Sequence, residues 1–96
     1  MKSSAKKDHR PWGYFKVLDD EPNHKVKRIV VYPGKRLSLQ KHQKRAEHWF
    51  VLSGQGIVTL DGDRLNKKGG DSVNIPPGAS HRMENTGTVD LNFIEV

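Results

Sequence analysis

Turn-forming residues recur through this 96-residue chain at intervals too short for long helices. Pro22-Asn23, Pro33-Gly34, Ser53-Gly54-Gln55-Gly56, Asp61-Gly62-Asp63, Lys68-Gly69-Gly70-Asp71, Pro76-Pro77-Gly78 and Asn85-Thr86-Gly87 all punctuate it. Between them lie short runs rich in Val, Ile, Leu and aromatics: Tyr14–Leu18, Lys25–Tyr32, Arg36–His42, His48–Leu52, Gly56–Leu60, Ser72–Ile75, Ser80–Glu84 and Leu91–Val96. No window sustains an apolar i, i+3, i+4, i+7 stripe over ten residues. Asp61-Gly62 between alternating segments is a hairpin signal, because glycine takes φ > 0 without a Cβ clash. Strands at this spacing without helices predict an all-β domain, and alternation alone leaves barrel and sandwich equally open.

Length and composition bound the rest. Ninety-six residues support one core, and a 33 % hydrophobic fraction makes it a thin one. The reading is a flexible basic tail over 1–9 and a single domain over 10–96. Without cysteine there is no disulfide framework, thiolate zinc site or cysteine nucleophile. The apolar runs are too short to span a bilayer, and no apolar stretch follows the N-terminal lysines as a secretory signal requires, so the expectation is a cytoplasmic protein without a membrane partner. Lys and Arg number 17 against 11 Asp and Glu, and the excess lies in residues 1–45, which points to an anionic partner. Nucleic acid is not the expected one, because the basic residues lack interleaved aromatics for stacking on bases. Lys25, Lys27 and Lys41 are read as outward members of strands.

The chemistry sits in polar residues where an alternating strand should bury something. In Arg36-Leu37-Ser38-Leu39-Gln40-Lys41-His42, Leu37 and Leu39 share one face, while Arg36, Gln40 and His42 share the other. Glu47 follows just before the apolar run Trp49–Leu52, and His81 opens another short strand after Pro76-Pro77-Gly78. Gln40, His42, Glu47 and His81 together offer two imidazoles, a carboxylate and an amide oxygen, ligand types that suit a divalent ion of zinc, iron, manganese, cobalt or nickel. A lone histidine on a strand is more often a hydrogen-bonded residue than a ligand, so this reading rests on their joint spacing.

That spacing resembles a known superfamily. Gly34, Gln40-Lys41-His42, Glu47 and Gly54 are similar to the first cupin motif. Gly70, Pro76-Pro77-Gly78, His81 and Asn85 are similar to the second. The resemblance implies a small double-stranded β-helix, or jelly-roll barrel, holding one divalent metal, zinc foremost, in its mouth. A narrower resemblance rests on Arg10-Pro11-Trp12-Gly13, Lys25–Val31, Leu37-Ser38-Leu39-Gln40, Arg45–Trp49 and Ile75-Pro76 with His81-Arg82. These are similar to the type II mannose-6-phosphate isomerase domain, usually the C-terminal part of a fusion with mannose-1-phosphate guanylyltransferase. Gln40 in place of the first cupin histidine is what that family shows. Nothing here resembles a Gly-rich nucleotide-binding loop, so the chain is read as a stand-alone isomerase or an orphaned cupin.

The implied function is metal-dependent interconversion of mannose 6-phosphate and fructose 6-phosphate through an enediolate, serving mannose activation for polysaccharide synthesis. The resemblance favours Arg45 as a catalytic residue, holding the phosphate or steadying the enediolate. Arg36 and Arg82 are candidates for binding the phosphate, although alternation turns Arg82 away from the face of His81. Trp12 and Trp49 are read as core before sugar pocket, and His48 as structural. Gln43 and Lys44 stand where the family commonly has histidines, which motivates the alternative of a catalytically silent accessory module that binds a sugar or sugar nucleotide. An iron-dependent oxygenase is a third reading, to which Gln40 is poorly suited. An exposed N-terminal edge strand leads us to expect a homodimer, joined by exchange of the segment near Arg10–Leu18.

Overall fold

The structure, a computed structural model, describes residues 6–96. Ten strands and no helix form among the described residues: β1 (Asp8–Arg10), β2 (Gly13–Glu21), β3 (His24–Val31), β4 (Gln40–Lys41), β5 (Glu47–Ser53), β6 (Gln55–Leu60), β7 (Asp63–Lys68), β8 (Ser72–Ile75), β9 (Ser80–Asn85) and β10 (Leu91–Glu95). They make two antiparallel sheets, one ordered β1-β2-β3-β10-β5-β8 and the other β4-β9-β6-β7. Residues 1–5 of the expected tail lie outside the described residues. Asp8 and His9, also assigned to that tail, instead pair with β2 through Phe15 and Tyr14. The segment expected to exchange pairs here within its own chain, at the sheet edge.

The core fills the space between the sheets. Ile29, Val31, Trp49, Val51 and Phe93 enter from one and Val58 and Met83 from the other, all at most 5 % exposed. The β6–β7 hairpin closes on the expected two residues, with Leu60 opposite Asp63 and both Asp61 (φ 47°) and Gly62 (φ 87°) left-handed. β7 itself was not anticipated. Its sequence, Asp63-Arg64-Leu65-Asn66-Lys67-Lys68, is polar, and of its side chains Leu65 packs on the core. Gly54 turns β5 into β6 with φ +86°, and a Cβ there would meet the Asp90 carbonyl oxygen at 2.6 Å.

One irregularity decides the face of a site residue. Arg36–His42 is not a continuous strand: Arg36 makes an isolated bridge to Glu84, and pairing resumes at Gln40 opposite His81. Four residues on one side thus span three on the other, which is a bulge-like insertion. Leu37 is buried, whereas Arg36 is exposed beside the outward Glu84. Past the insertion the parity flips, and Gln40 takes the same face as buried His81.

Asn85 fastens the two sheets. Its side chain is buried on β9, and Nδ2 donates to the carbonyl oxygens of Val31 on β3 and of Val89, each at 2.8 Å. Its Oδ1 accepts from the Gly87 N–H at 2.8 Å. Removing the amide leaves three backbone groups without this partner. Asn85→Ala is expected to lower unfolding free energy by about 2–3 kcal/mol, a fall of about 10 °C or more in Tm for a chain this size. Scanning calorimetry checks this, and an unchanged Tm contradicts the role given to Asn85.

Candidate metal centre

Three backbone features bring distant residues to one point. Pairing of Glu47 with Ile75 places β5 beside β8. The Pro76-Pro77-Gly78 turn then carries the chain to β9, and the Gly78 N–H donates to the His42 carbonyl at 2.7 Å. This bond fixes the loop that crosses from β4 to β5. The result gathers His42, Glu47 and His81, each contributing one ligand atom, with those atoms all within 4.8 Å of one another. His42 Nε2 lies 3.2 Å from Glu47 Oε2, and His81 Nε2 lies 3.7 Å from Glu47 Oε1.

Each of the three is held by a second group. His81 is 2 % exposed, and its Nδ1 lies 2.9 Å from the Ala79 carbonyl, an acceptor that places the ring proton on Nδ1. Its Nε2 is buried without any hydrogen-bond partner. Glu47 is 6 % exposed, with Oε1 accepting from the Trp49 indole N–H at 2.9 Å. Burial first, and then the Arg45 guanidinium, lowers the pKa of His42, which keeps that imidazole neutral near pH 7. Two imidazoles and a carboxylate, one imidazole nitrogen being buried and unpartnered, are a donor set that fits a divalent cation.

Arg45 already places positive charge there. Its Nε and Nη2 donate to Glu47 Oε2 at 3.2 and 3.1 Å, and Nη2 lies 3.0 Å from His42 Nε2. The guanidinium thus stands on two of the three ligand atoms that a metal ion would use. The other sequence candidates divide. Gln40 is on the face of His81 and exposed, so its amide is available from the neighbouring strand. Arg36 is not on that face, contrary to the reading from simple alternation, because the insertion before Gln40 turns it outward. Arg82 alternates with buried His81 and Met83 and lies opposite Thr59, on the outer side of its sheet, so it does not reach the site either. His48 bonds Asn74 on the outside, and Trp49 is core, its ring 5.0 Å from Phe93 and 5.6 Å from His81. Trp12 also packs against the core.

Two neighbours of the site escape the sequence reading. Glu95 follows Leu91 and Phe93 at period two, so alternation places it inward, where its side chain meets Glu47. Burial, reinforced by the Glu47 charge, pushes the Glu95 pKa up to about 7. Lys27 was read as outward, yet it shares parity with buried Ile29 and Val31 and lies opposite Glu95. Both line a cleft of about 460 Å³ that opens over Glu47, between Arg45 and the Glu21–Lys25 end of the β2–β3 hairpin. No helix among the described residues is long and apolar enough to cross a membrane.

Comparison with known proteins fits this geometry. The chain is 47 % identical over 88 residues to a mannose-1-phosphate guanylyltransferase of Escherichia coli K12, covering 92 % of this chain and 18 % of that protein. It is 45 % identical over 91 residues to the xanthan biosynthesis protein XanB of Xanthomonas campestris pv. campestris B100, covering 95 % and 20 %. The chain therefore spans about a fifth of these relatives' length. Among solved structures, an RmlC-like cupin from Shewanella frigidimarina superposes with a TM-score of 0.86 at 18 % identity, over 96 % of this chain and 81 % of that one, which establishes the cupin fold. A family profile described as mannose-6-phosphate isomerase C-terminal matches residues 1–96, and the chain belongs to that family of cupin domains.

Proposed function

We propose that this domain is a metal-dependent sugar-phosphate isomerase acting on mannose 6-phosphate and fructose 6-phosphate. The observation that carries the reading is the convergence of His42, Glu47 and His81 on one point, with Glu47 and Arg45 also lining a cleft of small-molecule size. Bound by His42, Glu47 and His81, with Gln40 as a further donor, a divalent ion supplies Lewis-acid polarisation of a carbonyl, and zinc is the leading identity.

The remaining work falls to the chain. Aldose–ketose isomerisation moves a proton between C1 and C2, and negative charge develops on oxygen as it does so. His81 presents Nε2 because Ala79 holds Nδ1, and Trp49 fixes the orientation of Glu47. Arg45 is 58 % exposed at its side chain, so it can turn from Glu47 Oε2 into the cleft and steady the enediolate or the phosphate. Arg45 holds Glu47 Oε2 and His42 Nε2, atoms that would serve a bound divalent ion, so the guanidinium would be free to face the cleft when the ion is held there. Glu95, raised to about 7, is itself largely protonated through the acidic range.

A coupled assay on metal-loaded protein tests the reading. Turnover of mannose 6-phosphate is expected, with His42→Ala and His81→Ala each lowering kcat/KM by about 100-fold or more. Absence of turnover on every phosphosugar tried sinks it. The accessory-module reading, favoured by Gln43 and Lys44 in the β4–β5 loop, then takes its place.

Glu95 carries a separate prediction for chelator-stripped protein. Its folded pKa lies above the unfolded value of 4.5, so the folded state holds the proton more tightly. The stabilisation contributed by this group is therefore fully present below about 4.5 and is lost as the pH rises through about 7. Glu95→Gln is expected to remove that decline from denaturation curves recorded between these limits, and an unchanged decline contradicts the assignment.

A further inference from the structure

The sequence reading left three arginines to hold the phosphate, and the structure removes two of them, since Arg36 and Arg82 face outward. Of the lysines in the cleft, Lys25 pairs with Asp20 at 3.8 Å. Lys27 makes no ion pair among the described residues, although its strand partner is Glu95. Its stem is half-buried, and its Nζ stands 4.7 Å from the centroid of the Phe15 ring. That contact confines an ammonium without neutralising it, because the ring offers only its quadrupole. A partly desolvated cation at the wall of a small-molecule cleft is poised for an external anion.

We propose that Lys27 seats the phosphate of the substrate, opposite Arg45. This inference rests on the phosphosugar reading above. A phosphomonoester carries close to two negative charges near neutral pH and offers three acceptor oxygens, which two cations from different elements can share. Lys27 projects from β3, and Arg45 enters from the loop before β5. Lys27 is thereby a substrate-binding residue with no place in the metal site. Its removal weakens phosphate affinity and leaves metal loading intact.

The test measures binding by calorimetry on metal-loaded wild type, Lys27→Met and Lys27→Arg, with mannose 6-phosphate and inorganic phosphate as probes and metal content determined for each protein. Lys27→Met is expected to raise the Kd for mannose 6-phosphate by about 10- to 100-fold, the range of a lost charge-assisted hydrogen bond. Lys27→Arg restores part of it, and metal content stays at the wild-type level throughout. Lys27→Gln serves the same comparison should the Met variant not fold. A folded Lys27→Met or Lys27→Gln protein that binds mannose 6-phosphate as wild type does overturns the proposal, as does a wild type that binds neither probe. The two readings separate cleanly. Binding that depends on Lys27 without turnover keeps this inference and sinks the isomerase, whereas isomerase turnover with an unchanged KM in Lys27→Met does the reverse.

Discussion

A carboxylate that is 6 % exposed, as Glu47 is, persists only where other groups replace the water it has lost. Much of the surrounding architecture meets that requirement. The Trp49 indole satisfies Oε1 from within the core and Arg45 covers Oε2 from the cleft, while the Nε2 atoms of His42 and His81 stand 3.2 and 3.7 Å from its oxygens. Glu95 adds a second acid, whose pKa burial, and then the neighbouring Glu47 charge, raises to about 7. The site is thus an electrostatic arrangement before it is a catalytic one. The Glu47 carboxylate takes one neutral donor from Trp49, and the cation beside it is the Arg45 guanidinium, where a metal ion would compete for the same atoms.

The two-sheet fold makes this arrangement affordable in so short a chain. Glu47 belongs to the six-stranded sheet and His81 to the four-stranded one, while His42 rides on the crossing between them. No hairpin or single sheet offers these three ligands to one point. The sheets are held in position by the shared core and by Asn85, whose side chain reaches from β9 to the Val31 carbonyl on β3. Ligand geometry and sheet packing are therefore coupled: loosening the sheets moves His81 relative to Glu47.

Much of this was legible in the sequence, for identifiable reasons. The turns were written in glycine and proline, and the Asp61-Gly62 hairpin formed with both residues left-handed. The core strands were written in alternation. What escaped reading had weak or misleading local signals. β7 pairs through backbone bonds while presenting Asn, Arg and Lys, so its composition resembled a loop. Arg36 failed for a subtler cause, since one inserted residue before Gln40 inverts the parity and nothing in Leu37-Ser38-Leu39 marks it. Glu95 and Lys27 were legible in principle. Each continues the inward register of its strand beyond the last inward apolar residue, where the barrel wall gives way to the mouth; charge alone reads Lys27 as outward there, and no motif marks Glu95.

The central claim is that His42, Glu47 and His81 form one cation site. Elemental analysis of the protein, purified without chelator and then reconstituted and desalted, tests it most directly. The account predicts close to one equivalent of a divalent transition metal per chain, lost in a His81→Ala variant that keeps its β-sheet circular dichroism. A wild-type protein that retains no metal after reconstitution, or a folded His81→Ala variant that retains a full equivalent, contradicts it.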